Sequence, residues 1–317
     1  MSNPMSSFII IENILQAVVA GLLIGSVYGL MCVGLGLIFG LMRVINFAQG
    51  EFLMLGMYVT FYFCTALGLN SALGPILGSL ISGLVVFVLG LAMHKMLLAK
   101  STGIRVVGTE GEGHYPQLIL TLGISLVLAN GALILFGNIS KTVRTPFSAT
   151  AWELALGSDV MLFFNKARTL ALLVSVLVAI AVYLFVHRTR LGKSLRAAAD
   201  NAAAATYMGI DVEKAHRISF GLGAGVTAVA GGLIASYYPF QPYIGLDFVV
   251  IMYAGVVLGG LGSMIGAFWG GLMIGLIQQL STLFLPLQLQ NAMIFVVFLL
   301  IILFRPQGLF GKNVERV

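Results

Sequence analysis

Charge is what this chain most lacks. Only 9% of its 317 residues are Asp, Glu, Lys or Arg, against roughly 25% in an ordinary soluble domain. A globule solvated on all sides is excluded. Cysteine is nearly absent too: Cys32 and Cys64 both lie in apolar runs, read as small core hydrophobes, and indicate neither a disulfide nor a metal site. The four histidines, His94, His114, His187 and His216, sit at or beyond the ends of apolar runs, with no HExxH, GxSxG or Cys/His cluster. Without convergent nucleophile, base or metal groups, catalysis by this chain is not expected. The triplet Gly192, Lys193, Ser194 resembles the end of a phosphate-binding loop, but the glycine required five residues before Gly192 is replaced by His187. The chain is therefore not expected to bind ATP, or any cofactor, by itself.

What is there is apolar. Hydrophobic residues make up 59% of the chain, mean hydropathy is +1.04, and the intervals 13–42, 52–94, 113–140, 169–187, 218–246 and 248–304 carry no Asp, Glu, Lys or Arg. At about 20 residues per crossing they hold one, two, one, one, one and two or three spans. The fold class is therefore an all-α polytopic membrane bundle of about eight to ten spans, ten if the first interval is split. The whole chain, 1–317, reads as one transmembrane domain.

Lys and Arg are retained on the cytoplasmic side. Arg188, Arg190, Lys193 and Arg196 put the segment 188–217 inside. One span earlier the stretch 138–168 falls outside, and another span earlier Lys95, Lys100 and Arg105 fall inside again. Arg305, Lys312 and Arg316 place the C-terminus inside, and the N-terminus is expected outside. The net charge of +6 follows from this retention, and no basic domain interleaved with aromatics points to nucleic acid. The first apolar stretch has no basic flank and contains Glu12, so a cleaved signal peptide is not expected.

Two places interrupt the apolar runs. One is GLGLIFGLMRVINFAQGEF, from Gly34 to Phe52, with Arg43, Asn46, Gln49 and Glu51 between hydrophobic stretches. The other is VVLGGLGSMIGAFWGG, from Val256 to Gly271. Each reads as a discontinuous helix or re-entrant turn, which membrane depth tolerates only inside protein or beside a watery cavity. Paired interruptions point to repeats around a central pathway. Two readings of the charges stay open: Arg43 and Glu51 mark function within the membrane, or they surface in water or pair with each other. Asn46 and Gln49 share a face if helical. Gly21 with Gly25 and Gly271 with Gly275 have the spacing of close helix packing, whereas Gly259, Gly260 and Gly262 are dense enough for a turn. The stretch 138–168 reads as an external loop. Tyr237, Tyr238, Pro239, Pro242 and Tyr243 end a span as an aromatic belt with breakers, and Asp247 is placed at the same outer interface.

The segment HRTRLGKSLRAAADNAAAATYMGIDVEKAHR, from His187 to Arg217, is a polar island. Its alanines are strong helix formers, Gly192 precedes and Gly209 can terminate a helix from about Leu195 to Met208. A helix of that length is marginal alone in water, so it packs against something. Lying across the span ends and docking a partner are both open.

The blocks RVINFAQGEFLMLGMYV, RLGKSLRAAADNAAAATYMGIDVEKAHRISFGLGAGVTAVAGGL, VVLGGLGSMIGAFWGG and LFRPQGLFG resemble the permease subunits of bacterial branched-chain amino acid ABC importers, in the family's order and spacing, from about residue 12 to 311. The resemblance implies a multi-pass protein of the bacterial inner membrane, working with a second homologous permease subunit, two cytoplasmic ATPase subunits and a periplasmic substrate-binding protein. ATP and Mg then reside on the ATPases. It implies that Arg196, Ala197, Ala198, Asp200, Asn201, Met208 and Gly209 belong to a coupling helix seated on the ATPase. The importer loop motif is partly kept: Arg196, Ala197 and Ala198 stand at its start and Gly209 matches its glycine, but the terminal Leu-Pro is missing. Asn46, Phe47, Gln49, Glu51, Gly259, Gly260 and Gly262 are the candidates for the translocation pathway. The family spreads over amino acids, urea and short amides, and organic acids, and nothing in these residues selects among them. An ion-gradient-driven secondary transporter with its site near Glu51 is the alternative.

Overall fold

A computed structural model describes residues 4–69, 71, 73–98, 115–156, 160–286, 289–305 and 308–310. Lys100, Arg105, His114, Lys312 and Arg316 lie outside them. The chain is an all-α polytopic membrane protein with one small hairpin. In order come α1 (Pro4–Met42), α2 (Gln49–Leu67), α3 (Leu73–Met93) running into a π-turn (His94–Leu98), and α4 (Tyr115–Phe136). There follow β1 (Ala151–Leu156), β2 (Val160–Asn165), α5 (Lys166–Arg188), α6 (Arg190–Asp200), α7 (Ala202–Tyr207), α8 (Val212–Ile234), α9 (Ile244–Gly259), α10 (Met264–Ser281) and α11 (Gln290–Phe304).

Seven helices among the described residues are long and apolar enough to cross a membrane: α1 to α5, α8 and α10. The shorter apolar helices α9 and α11 bring the expected eight or nine crossings into reach only if they are counted. Splitting the first interval to reach ten does not occur, because α1 is continuous from Pro4 to Met42.

The centre is α8. From Ser219 to Ile234 every residue except Leu222 is buried, and most are Gly, Ala or small Val and Thr. That composition lets backbones approach where larger side chains would hold them apart. A Cβ at Gly223 would strike Ile38 and the Gly34 carbonyl on α1, one at Gly231 the Leu53 carbonyl on α2, and one at Gly232 Ser79 on α3. The α1/α10 pair closes the same way: Gly21, Gly25 and Gly29 lie against the backbones of Leu276, Leu272 and Phe268, with Gly271 and Gly275 facing back.

The stretch 138–168 is more ordered than a plain loop. β1 and β2 form an antiparallel hairpin with Trp152 opposite Phe164 and Leu154 opposite Leu162, an apolar alternation hidden in a segment without a long hydrophobic run. Gln16 on α1 pins it, donating to the Phe163 carbonyl at 2.9 Å and accepting the Phe163 amide at 3.0 Å. The hairpin therefore marks one end of the bundle. The opposite end carries α6, α7 and the α9/α10 turn.

Candidate functional site

The break after α1 buries three polar side chains close together in the chain. Arg43 adopts a positive φ of 54° and points outward, exposed, whereas Asn46, Gln49 and Glu51 are buried. Arg43 to Ala48 are non-helical, so Asn46 and Gln49 do not share a helical face. Instead Asn46 Nδ2 donates to Gln49 Oε1 at 3.0 Å, and Asn46 Oδ1 accepts the Ala48 amide at 3.1 Å, folding the strand into the first turn of α2. Gln49 Nε2 then donates to the Gly223 carbonyl at 3.0 Å and to Thr227 Oγ1 at 2.5 Å. Gly223 is the midpoint of α8, so α2 begins half-way along the central helix. Thr121 on α4 accepts the Phe47 amide at 3.3 Å and lies 3.3 Å from the Ile45 carbonyl. The non-helical backbone thus finds partners inside the protein, as burial away from water demands.

Glu51 is not paired with Arg43. Its Oε1 accepts from Ser125 Oγ at 3.2 Å, and its Oε2 is buried without a partner. Among the described residues the one ion pair joins Arg217 to Glu213. A carboxylate with one unsatisfied oxygen this deep is costly, which separates Glu51 from the scaffold groups around it.

The partner of this break is not the glycine cluster. Gly260 (φ 101°) and Gly262 (φ 88°) form the tight turn of an antiparallel helix pair: Gly259 packs on Gly266, and Ser263 Oγ caps α10 by accepting the Gly266 amide at 3.0 Å. These glycines lie at the end of the bundle, with Gly262 against Gly40 of α1, and not beside Asn46. Leu309 and Phe310 finish the turn, their amides donating to the carbonyls of Leu258 and Gly259 at 2.9 and 3.2 Å. That satisfies backbone groups a helix end leaves open.

The start of α2 meets instead the start of α9, which follows the stretch containing Tyr237, Tyr238, Pro239, Pro242 and Tyr243. Phe240 exchanges backbone hydrogen bonds with Lys141 at 2.9 Å and stacks edge-on against Tyr58 at 5.0 Å. The chain then turns back inward, and α9 starts with Gly245 against Gly50 and the Glu51 carboxyl group. The N-termini of α2 and α9 therefore meet inside the bundle. Two glycines with no compositional emphasis, Gly50 and Gly245, make that meeting, and only their complementary placement reveals it.

The island forms two helices where one was expected. Thr189 Oγ1 caps α6 by accepting the Gly192 amide at 3.0 Å, so Gly192 lies inside the helix. Asn201 breaks the alanine run: its extended backbone ends α6, and its Oδ1 caps α7 by accepting the Ala204 amide at 2.9 Å. Gly209, at φ 80°, stops α7, with the Ile210 amide closing on the Ala205 carbonyl at 2.9 Å. Leu195, Ala198 and Ala205 are buried against the bundle, whereas Tyr207 is 90% and Met208 82% exposed. Ala197 is half-buried and Asn201 exposed. Arg196 and Asp200 line a cavity together with Gly262, which brings one part of the island and one pathway candidate together.

Three comparisons bear on what this arrangement serves. Residues 17–304 match the family model described as branched-chain amino acid transport system, permease component. The chain is 27% identical over 309 residues to the high-affinity branched-chain amino acid transport system permease protein LivH of Escherichia coli K12, covering 96% of this chain and 97% of that one. It is 30% identical over 315 residues to the corresponding BraD of Pseudomonas aeruginosa, covering 97% and 99%. A probable LivH of Methanocaldococcus jannaschii is 29% identical over 259 residues, 81% and 77% of the two chains. No solved structure shows significant similarity.

Proposed function

Because the chain belongs to the family of permease components of branched-chain amino acid transport systems, we propose that it is the membrane subunit of an ATP-driven importer of branched-chain amino acids or related small polar solutes. The match along nearly the full length carries this reading. The relatives are named as permease proteins of transport systems, which does not favour an ion-gradient mechanism.

In this reading the island end of the bundle is cytoplasmic, the hairpin end faces the periplasm, and the membrane is the bacterial inner membrane. Two cytoplasmic ATPases, a second homologous permease subunit and a periplasmic binding protein complete the complex. ATP and Mg sit on the ATPases. Tyr207 and Met208, exposed beside the Gly209 stop, form the ATPase contact. Arg196, Ala197, Ala198, Asp200 and Asn201 hold it at a fixed angle to the bundle. Solute passes near Asn46, Phe47, Gln49 and Glu51, where α2 and α9 begin. Separation of Gly50 from Gly245 opens that level, and Gly259, Gly260 and Gly262 flank the cytoplasmic end.

The test is uptake by the reconstituted complex. ATP-dependent accumulation of a branched-chain amino acid that requires co-purifying ATPase supports the reading. Uptake that persists without ATPase and collapses with a proton or sodium uncoupler overturns it.

A further inference from the structure

Two cavities meet at the island end. The first, about 470 Å³, is walled by the end of α1, by Tyr183 and His187 of α5, by Arg196 and Asp200 of α6, and by the Leu261–Ile265 turn. The second, about 210 Å³, lies between α1, α5 and α10 and is lined by apolar side chains such as Val33, Ile180 and Phe268. They share Tyr183, Met264 and Ile265 among their lining residues, so the chamber that holds Arg196 and Asp200 adjoins an apolar groove. Ile180, Ile265 and Trp269 on the groove are each about half exposed, and Trp269 has the amphipathic character of residues at a membrane–water boundary.

The larger chamber holds one charge of each sign without joining them. Arg196 reaches only the His187 carbonyl, at 3.5 Å, and its Nε is buried with no acceptor. Asp200 stands one turn along the same helix, a spacing of about 5–6 Å between Cβ atoms, and the two form no ion pair. A ligand with a phosphate for the guanidinium, an ammonium for the carboxylate and a hydrocarbon chain for the groove satisfies every part of this arrangement.

We propose that a phospholipid with an ethanolamine headgroup is bound here, its phosphate at Arg196, its ammonium at Asp200 and an acyl chain between α5 and α10. On the orientation proposed above it comes from the inner leaflet. The lipid ties α6 to the bundle and fills the space between the island and the α9/α10 turn. A free amino acid offers the same two charges but leaves the apolar groove without an occupant.

The full chain, purified in mild detergent and analysed by native mass spectrometry, is expected to retain one phosphatidylethanolamine in preference to phosphatidylglycerol. Asp200→Asn, which removes one charge-assisted contact, should cut that preference about tenfold. Ile265→Trp, filling the shared wall, should release the lipid from a monodisperse protein, and Ile180→Trp at the rim serves the same purpose if Ile265→Trp does not fold. Equal retention of both lipids by the wild type, or retention unchanged in these variants, overturns the proposal. So does competition by soluble glycerophosphoethanolamine as strong as that of the intact lipid, or a cysteine at Ile180 that cross-links to a second permease subunit covering the groove.

Discussion

Glu51 and Gly231 show how differently single residues are committed in this bundle. Gly231 faces the Leu53 carbonyl so closely that any Cβ forces α2 away from α8. Gly231→Val should therefore lower stability by about 1–3 kcal/mol, the usual cost of overpacking, read as a fall in the thermal midpoint in detergent. Glu51 contributes through one bond to Ser125 and leaves Oε2 unsatisfied. Glu51→Gln keeps the shape of the side chain and the acceptor for Ser125 while removing an ionisable group from a buried site, so the protein should be at least as stable, while uptake should fall if the carboxyl group serves the pathway. A variant with unchanged uptake would remove Glu51 from it. The sequence singled out this acid because ionisable groups between apolar runs are rare. Its lack of a counter-ion is a fact of three dimensions, since Arg43, the nearest cation along the chain, is exposed.

At the scale of elements, the island depends on one asparagine. The alanine run favours a continuous helix by propensity alone, and the side chain of Asn201 overrides it by capping α7. Asn201→Ala removes that cap at a cost of about 0.5–2 kcal/mol and lets α6 and α7 fuse, swinging Tyr207 and Met208 away. ATP hydrolysis without uptake is the expected result, and normal coupling would dismiss the role given to the angle. Replacing Tyr207 and Met208 with serine should weaken ATPase co-purification without altering insertion in the membrane, because neither side chain packs on the bundle. Gly209 was readable in advance, as a glycine after a helical run, and its positive φ agrees. The break at Asn201 was not legible by the same logic, because propensity summed along the alanine run favours one helix and the cap shows only once the Asn201 backbone is extended.

For the whole molecule, the arrangement of ends is the open question with a direct measurement. Cys32 and Cys64 are buried, so single cysteines introduced elsewhere report cleanly. In intact cells a cysteine at Met208 should resist a membrane-impermeant maleimide, and one at Leu154 in the hairpin should react. The reverse pattern would invert the proposed orientation. The sequence by itself determined that this chain lives in a membrane and where its polar segments interrupt the apolar runs, because hydrocarbon excludes charge whatever the neighbours are. Tertiary structure alone decided which interruptions belong together. The pairing of Gly50 with Gly245 depends on α2 and α9 starting at the same depth, and the chamber at Arg196 depends on α6 standing across a gap from the α9/α10 turn. Both join segments far apart in the chain, and no local pattern of charge or hydropathy encodes how two such surfaces meet.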